Sequence, residues 1–252
     1  TYGSYETFTL NLGRAQKIGN FSYLVSFAHA QSKGDFKFKS VNDLTLTRIN
    51  NDFHSESFLT KLAYDFDSGW KISFLNEFFY DDRGVPGLGE FQQPDATQKD
   101  ARNLTSFNIS KEQFASPDLD LNIQLYNRYD YLKFTNPMPT IGVPINTLSE
   151  TYSFGVNPTL TWFAPYNQTI TFATEARADF LSDDDFDNPR RFAYSAFASD
   201  EITFFDEILL INPLLRLDIW TTHEEETTTD VGFSPKLGIV VSPKNYLSFK
   251  AN

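Results

Sequence analysis

Apolar and polar residues alternate along most of the chain. Between residues 119 and 125, Leu and Ile occupy every odd position, and Asp, Asn and Gln occupy the even ones. A repeat of two residues is typical of a β-strand that has one apolar face. The pattern predicts about twelve strands, at roughly 5–12, 20–30, 57–66, 70–80, 103–112, 119–134, 151–163, 168–181, 191–203, 207–220, 231–242 and 246–252.

The lengths of the strands and of their connections favour a membrane barrel. Most predicted strands have about 10–14 residues, whereas globular strands average about 5–6 and membrane-spanning strands need about 9–11. Short connections near 13–19, 67–69, 113–118, 164–167, 204–206 and 243–245 alternate with longer ones near 31–56, 81–102, 135–150, 182–190 and 221–230. Outer-membrane barrels pair tight periplasmic turns with long extracellular loops in this way. The sequence therefore predicts an all-β, antiparallel transmembrane β-barrel.

Aromatic residues gather beside the short connections, where a barrel places a girdle at the lipid headgroups. The residues in question are Phe66, Trp70, Trp162, Tyr166, Phe204, Phe205 and Tyr246. A water-soluble β-sandwich with a Phe-rich core is the alternative reading, but the faces opposite the apolar residues carry charges as well as neutral polar groups.

Composition and charge exclude several classes of function. With 21 Lys and Arg against 33 Asp and Glu, the formal charge is −12, which argues against a nucleic-acid partner. The absence of Cys excludes thiolate zinc sites and a Cys nucleophile. No catalytic motif is recognisable, so we expect no enzyme. His29, His54 and His223 are scattered, and none has a metal-ligand spacing to another ligand.

Charged residues of both signs occupy the predicted polar faces of the strands. A polar interior of mixed charge suits a water-filled channel or a surface that grips an inserted plug domain, whereas charges of a single sign are typical of a selective pore. We therefore predict lumen-facing contacts to a plug from Arg128, Asp130, Glu175, Arg177, Arg216 and Asp218.

One acidic loop is a candidate calcium site. Asp183, Asp185 and Asp187 match the first three ligand positions of an EF-hand loop. Asn188 replaces the required Gly, and Tyr194 stands where the bidentate Glu belongs, so the loop is not an EF-hand. A looser structural calcium site and a merely solvated acidic loop both remain open, and no other cofactor is expected.

Several short motifs resemble one family of barrels. The chain carries D-R-G-V-P-G at 82–87, A-R at 101–102, L-R-L-D at 215–218, F-S-P-K-L-G at 233–238, S-P at 242–243 and L-S-F-K-A-N at 247–252. These segments resemble the later barrel strands of TonB-dependent outer-membrane receptors, the ferric-siderophore and vitamin B12 transporters. The resemblance covers most of the chain as a pattern but only these motifs as residues.

The resemblance implies a fold and a transport function. Residues 1–252 would form about twelve of an expected 22 strands, with the plug domain and the terminal strands absent from this chain. Such a receptor lies in the outer membrane of a Gram-negative bacterium, among lipid and lipopolysaccharide. It binds a scarce nutrient at its extracellular loops, and TonB, acting through the N-terminal plug, supplies the energy for import.

The cargo implied is a ferric siderophore or a cobalamin-like chelate. Its candidate ligands in the predicted outer loops are Asp82, Arg83, Phe91, Asn136 and Met138. Aromatic rings and Arg there would hold an anionic chelate by stacking and charge. A passive porin-type diffusion channel is the alternative function.

Overall fold

A computed structural model describes residues 1–140, 142–184, 188–206, 208–244 and 247–251. Regular structure in these residues is β apart from one 3₁₀ turn, Ser4–Glu6. The described residues contain no helix that is long and apolar enough to cross a bilayer. The strands are β1 (Tyr2–Gly3), β2 (Thr7–Ile18), β3 (Phe21–Ser32), β4 (Lys37–Lys39), β5 (Thr45–Thr47), β6 (Phe53–Asp65), β7 (Trp70–Gly84), β8 (Gly87–Leu88), β9 (Phe91–Gln92), β10 (Thr97–Lys111), β11 (Leu119–Asn136), β12 (Ile145–Ala164), β13 (Gln168–Asp183), β14 (Arg190–Phe204), β15 (Leu209–His223), β16 (Thr227–Lys244) and β17 (Leu247–Ala251).

Thirteen of these strands form one antiparallel sheet in which each strand pairs with the next along the chain. The order is β1-β2-β3-β6-β7-β10-β11-β12-β13-β14-β15-β16-β17, and the hairpins β4-β5 and β8-β9 lie outside it. All twelve predicted strands are present, as β2, β3, β6, β7 and β10–β17, so the predicted all-β, antiparallel architecture is confirmed. We call the long paired strands of this sheet the barrel wall.

The strand register separates the two faces of the wall. On one face, Arg128 pairs with Ser153, which pairs with Asp179 on the next strand. On the other face, Phe107 pairs with Leu125, which pairs with Val156. The first face is polar and the second is apolar, as expected for the lumen and the lipid side of a barrel.

The apolar face has no second layer to cover it. Among the described residues, Ala96 and Ala173 are the only buried apolar side chains, while large ones such as Phe107, Leu125 and Phe154 remain exposed. A soluble sandwich would bury this face against a second sheet. The single-layered wall instead fits a barrel whose apolar face meets lipid.

Aromatic residues border the apolar face at both ends. Trp70 packs edge-on against Phe114 at one end, and the rings of Tyr129 and Tyr152 lie 4.7 Å apart near the other. The ten residue steps from Trp70 to Tyr80, at about 3.3 Å per step and a tilt of about 40°, span roughly 25 Å. This is the height of the apolar band of an outer-membrane barrel. Tyr246, predicted for the girdle, lies outside the described residues.

The predicted alternation of short and long connections holds as far as residue 208 and fails at the last connection of one edge, 224–226. At the edge we call the short-turn edge, the strands are joined by 19–20, 66–69, 112–118, 165–167 and 205–208. At the opposite edge, the long-loop edge, the connections are 33–52, 85–96, 137–144, 184–189 and 224–226. The prediction of a long loop at 221–230 was wrong. There the strands continue until His223 pairs with Thr227, because the threonines that flank this turn favour extended backbone.

Candidate functional site

Two long connections at the long-loop edge are joined by hydrogen bonds from side chains to backbone. Asn50 Nδ2 donates to the carbonyl oxygens of Gln93 and Ala96, each at 2.7 Å. Gln92 Nε2 donates to the Thr47 carbonyl at 3.0 Å. These bonds connect segment 33–52 to segment 85–96, and they satisfy carbonyl groups that lie outside the sheet.

The third connection, 137–144, joins the same assembly, which we call the loop cluster. The Thr140 N–H donates to Gln93 Oε1 at 3.2 Å, and Thr140 Oγ1 donates to the Gln92 carbonyl at 3.1 Å. Asn136 is buried at the base of this connection, where its Nδ2 donates to Gln93 Oε1 at 3.3 Å. Gln93 is therefore the point at which all three connections meet.

Close backbone packing explains one glycine of the cluster. Gly84 ends β7, and a Cβ atom there would overlap both the side chain and the backbone of Asn50. A residue without a side chain at this position lets segment 33–52 approach the end of β7. The cluster is thus tied to the barrel wall as well as to itself.

Below the loop cluster, six charged side chains form a network on the polar face of β7, β10 and β11. We call it the lumen network: Asp81, Arg83, Asp100, Arg102, Arg128 and Asp130. Arg83 bridges two carboxylates, with Nε 3.4 Å from Asp81 Oδ2 and Nη2 3.0 Å from Asp100 Oδ2. Asp130 accepts hydrogen bonds from both Arg102 Nε at 2.8 Å and Arg128 Nη2 at 3.0 Å. Three negative and three positive charges balance.

The lumen network surrounds a cavity of about 480 Å³ that is lined by Phe79, Tyr131, Leu132, Ser149, Thr151 and five of the six charged residues. The two signs of charge are not equally accessible. The side chains of Arg83 and Arg102 are 46% and 58% exposed, whereas those of Asp81 and Asp130 are 11% and 29% exposed. The carboxylates therefore lie beneath the guanidinium groups, and the network presents mainly positive charge and hydrogen-bond donors.

Further along the wall, the same arrangement of Arg and Asp two residues apart recurs. Arg177 Nε lies 3.0 Å from Asp179 Oδ2, and Arg216 Nη2 lies 2.8 Å from Asp218 Oδ1. Residues two apart on a strand share a face, so each Arg is held by its own strand. The structure places all six predicted plug-contact residues on this polar face.

A tyrosine side chain extends along the polar face between these charged groups and spans three strands. The phenol of Tyr126 on β11 hydrogen-bonds to Glu175 on β13, so it passes over the intervening β12. It passes over Gly155, where a Cβ atom would overlap the ring. The glycine is therefore required by the path of the tyrosine.

The residues predicted to bind cargo do not form one cluster. Asp82 and Arg83 lie in β7, not in a loop as predicted, because the strand extends to Gly84. As neighbours on a strand they point to opposite faces: Arg83 joins the lumen network, whereas Asp82 pairs with Lys99 at 2.8 Å on the lipid side. Phe91 in β9 and Met138 are exposed in the loop cluster.

Only part of the predicted calcium site falls within the described residues. Asp183 is the last residue of β13, and Asp185 and Asp187 lie outside the described residues. The neighbouring Asp184 uses Oδ2 to accept a 2.9 Å hydrogen bond from the Leu148 N–H. Calcium binding stays a prediction, which titration of Asp183→Asn with Ca²⁺ would test.

Asp100, Arg102, Asn50 and Gln93 were not among the predicted site residues. Asp100 and Arg102 fall in a segment predicted as loop, although their spacing of two residues continues the alternation of the strand. The Asn50 side chain bonds to backbone carbonyl groups, and the Gln93 side chain to a backbone N–H, in each case more than about 40 residues away in sequence. No periodic signal in the sequence marks such contacts.

Comparisons with known proteins agree with this architecture. Residues 1–252 match the model of the family described as TonB dependent receptor-like, beta-barrel. Among solved structures, the FrpB iron transporter from Neisseria meningitidis has a TM-score of 0.81 at 15% identity, covering 99% of this chain and 43% of that chain. The copper transporter OprC has a TM-score of 0.77 at 14% identity, covering 97% of this chain and 43% of that one. The ferric citrate transporter FecA has a TM-score of 0.76 at 12% identity, covering 96% of this chain and 40% of that chain. The chain thus spans about two fifths of the length of these structures. A comparison with curated proteins found no match.

Proposed function

This chain belongs to the TonB-dependent receptor β-barrel family, and from that membership we propose that its receptor is an active transporter of the outer membrane. The family consists of receptors, which confirms the prediction that the chain is not an enzyme. FrpB, OprC and FecA are described as iron, copper and ferric citrate transporters. We propose a metal chelate of the ferric-siderophore class as the cargo, in preference to a cobalamin-like one.

The observation that carries the proposal is the unequal exposure of charges in the lumen network. Arg83 and Arg102 face the cavity with about half of each side chain exposed, above carboxylates that are mostly buried. Guanidinium groups in this position match the oxygen atoms of an anionic chelate in charge and geometry. The loop cluster would restrict entry to this path, because connections 85–96 and 137–144 begin where β7 and β11 end.

The lower part of the polar face suits the plug domain of the same polypeptide. Arg177 and Arg216 are oriented by Asp179 and Asp218, and 38% and 44% of the two Arg side chains remain exposed. Preoriented but accessible charges can exchange partners with a plug at little desolvation cost. We propose that TonB acts on that plug and that the wall holds it by such exchangeable pairs.

The test is uptake of ⁵⁵Fe-labelled siderophores by cells that produce the complete receptor, with and without TonB. The decisive pair of variants is Arg83→Gln and Asp82→Asn, which change neighbouring residues on opposite faces. We expect Arg83→Gln to reduce uptake about tenfold, equivalent to one charge-assisted hydrogen bond, and Asp82→Asn to leave it unchanged. Equal effects of the two variants would contradict a cargo path along the polar face.

The same assay separates active transport from the porin alternative. A passive diffusion channel would give uptake that is linear in solute concentration and independent of TonB. Saturable uptake that stops without TonB supports the proposal, and uptake that persists without TonB overturns it.

A further inference from the structure

A histidine and carboxylate cluster lies on the lipid-facing side of the wall, at the long-loop edge. Strand pairing sets His29 of β3 directly opposite Glu56 of β6, and His54 lies two residues before Glu56 on the same face. His54 Nε2 is 3.2 Å and His29 Nδ1 is 3.7 Å from Glu56 Oε1, and one donor atom from each residue falls within 4.8 Å of the other two. The spacing of the histidines in the sequence did not predict this group, because strand pairing joins positions 27 residues apart.

The charge of Glu56 is not matched by a basic residue. Within the described part of the chain, its only ion-pair partners are the two imidazoles. The lumen network differs, since each of its carboxylates meets an Arg. Glu56 and the two imidazoles together offer one oxygen and two nitrogen atoms as ligands for a cation.

From this geometry we propose that His29, His54 and Glu56 bind a divalent transition-metal ion of the zinc type. Ligands at about 2.1 Å in tetrahedral directions stand about 3.4 Å from one another, which is close to the two observed distances. Imidazole nitrogens favour zinc, copper or nickel over calcium and magnesium, which take oxygen ligands. Three protein ligands leave a fourth position for water or for an external oxygen ligand.

The position of the cluster gives an ion access without passing through the lumen. The next residues on this face, toward the middle of the wall, are the paired Phe27 and Phe58. The side chains of His54 and Glu56 remain 47% and 43% exposed, while His29 is largely covered and packs against Phe8. The site therefore lies at the membrane surface, on the opposite face from the proposed cargo path.

The test is Zn²⁺ binding by the complete receptor in detergent, measured by calorimetry after chelator treatment. We expect His54→Gln and Glu56→Gln to weaken one Zn²⁺ site at least about tenfold. His223→Gln is the matched control, because this histidine lies far along the sheet and hydrogen-bonds to Thr227. Binding that is absent from the wild-type receptor, or unchanged in both cluster variants, would overturn the proposal.

A spectroscopic measurement on the unmodified receptor does not depend on the folding of variants. Cu²⁺ bound in the cluster should show hyperfine coupling to two imidazole nitrogens in electron paramagnetic resonance. A spectrum without that coupling at one equivalent of Cu²⁺ would overturn the proposal. Uptake of the cargo should be unchanged in His54→Gln, so a failure of this site and a failure of the transport proposal are distinguishable.

Discussion

The barrel wall and the loop cluster are parts of one chain that are held by different chemistry. In the wall, each strand exchanges backbone hydrogen bonds with its neighbours over most of its length. In the loop cluster, the amide side chains of Asn50, Gln92 and Gln93 bond to backbone groups of other connections. The comparison shows that, where the chain leaves the sheet, amide side chains take over the role of the neighbouring strand.

The two regions should therefore respond to mutation in different ways. Damage to the wall affects a cooperative sheet and should appear in global unfolding, whereas damage to the cluster should appear as local opening. Charges on the polar face, which are exposed to water in the lumen, should contribute least to stability.

The largest expected effect is in the wall, at Gly155. A valine there would displace the Tyr126 ring, which then loses its hydrogen bond to Glu175. We expect Gly155→Val to lower the free energy of unfolding by about 2–3 kcal/mol, from overpacking and one lost hydrogen bond. The measurement is guanidinium unfolding of the receptor refolded into lipid vesicles.

Gly13 on the same polar face is the matched control. A Cβ atom there meets the Val25 carbonyl oxygen at 3.6 Å, an ordinary contact. Gly13→Val should change the free energy of unfolding by less than about 0.5 kcal/mol. Equal losses in the two variants would mean that valine is unfavourable at any glycine of the wall, and that the crossing tyrosine is not the cause.

The wall was predictable from the sequence because successive side chains of a strand face lipid and lumen in turn. A side chain at every second position must be apolar to face lipid, so the twelve strands and the positions of Arg128, Arg177 and Arg216 followed from the spacing alone. The strand ends were less predictable. Beyond the membrane both faces can be polar, so the alternation fades although pairing continues to His223 and Thr227.

The second prediction concerns the loop cluster, at Asn50. Replacement by Ala removes two hydrogen bonds that join the connections, while the Ala96 carbonyl keeps the Val85 N–H, at 2.9 Å, as its other donor. We expect Asn50→Ala to cost about 1–2 kcal/mol, confined to segments 33–52 and 85–96. Hydrogen exchange should rise in these segments and stay unchanged in β11 and β12.

Asn42 provides the control for this prediction, because it is exposed in the same connection. Asn42→Ala should leave hydrogen exchange of the cluster unaltered. If Asn50→Ala also lowered global stability as much as Gly155→Val, the cluster and the wall would be one cooperative unit and the comparison would fail.

The smallest expected effect on stability is in the lumen network, at Asp130. Asp130→Asn removes the negative charge that Arg102 and Arg128 share. Two neighbouring guanidinium groups then lack a common anionic partner. Since both Arg side chains are about half exposed to the lumen, water and salt replace much of that interaction. We expect the free energy of unfolding to fall by less than about 1 kcal/mol, and by less again in high salt.

The control for Asp130 is Asp179→Asn, which removes a carboxylate that pairs with Arg177. Both variants should be less destabilised than Asn50→Ala, and Asp130→Asn should be the more salt-dependent of the two, because it brings two cations into repulsion. A loss above that of Gly155→Val would show that charge pairs hold the wall together. In that case these Arg groups would not be available to exchange partners with a plug or an anionic cargo, and the proposed transport path would lose its main support.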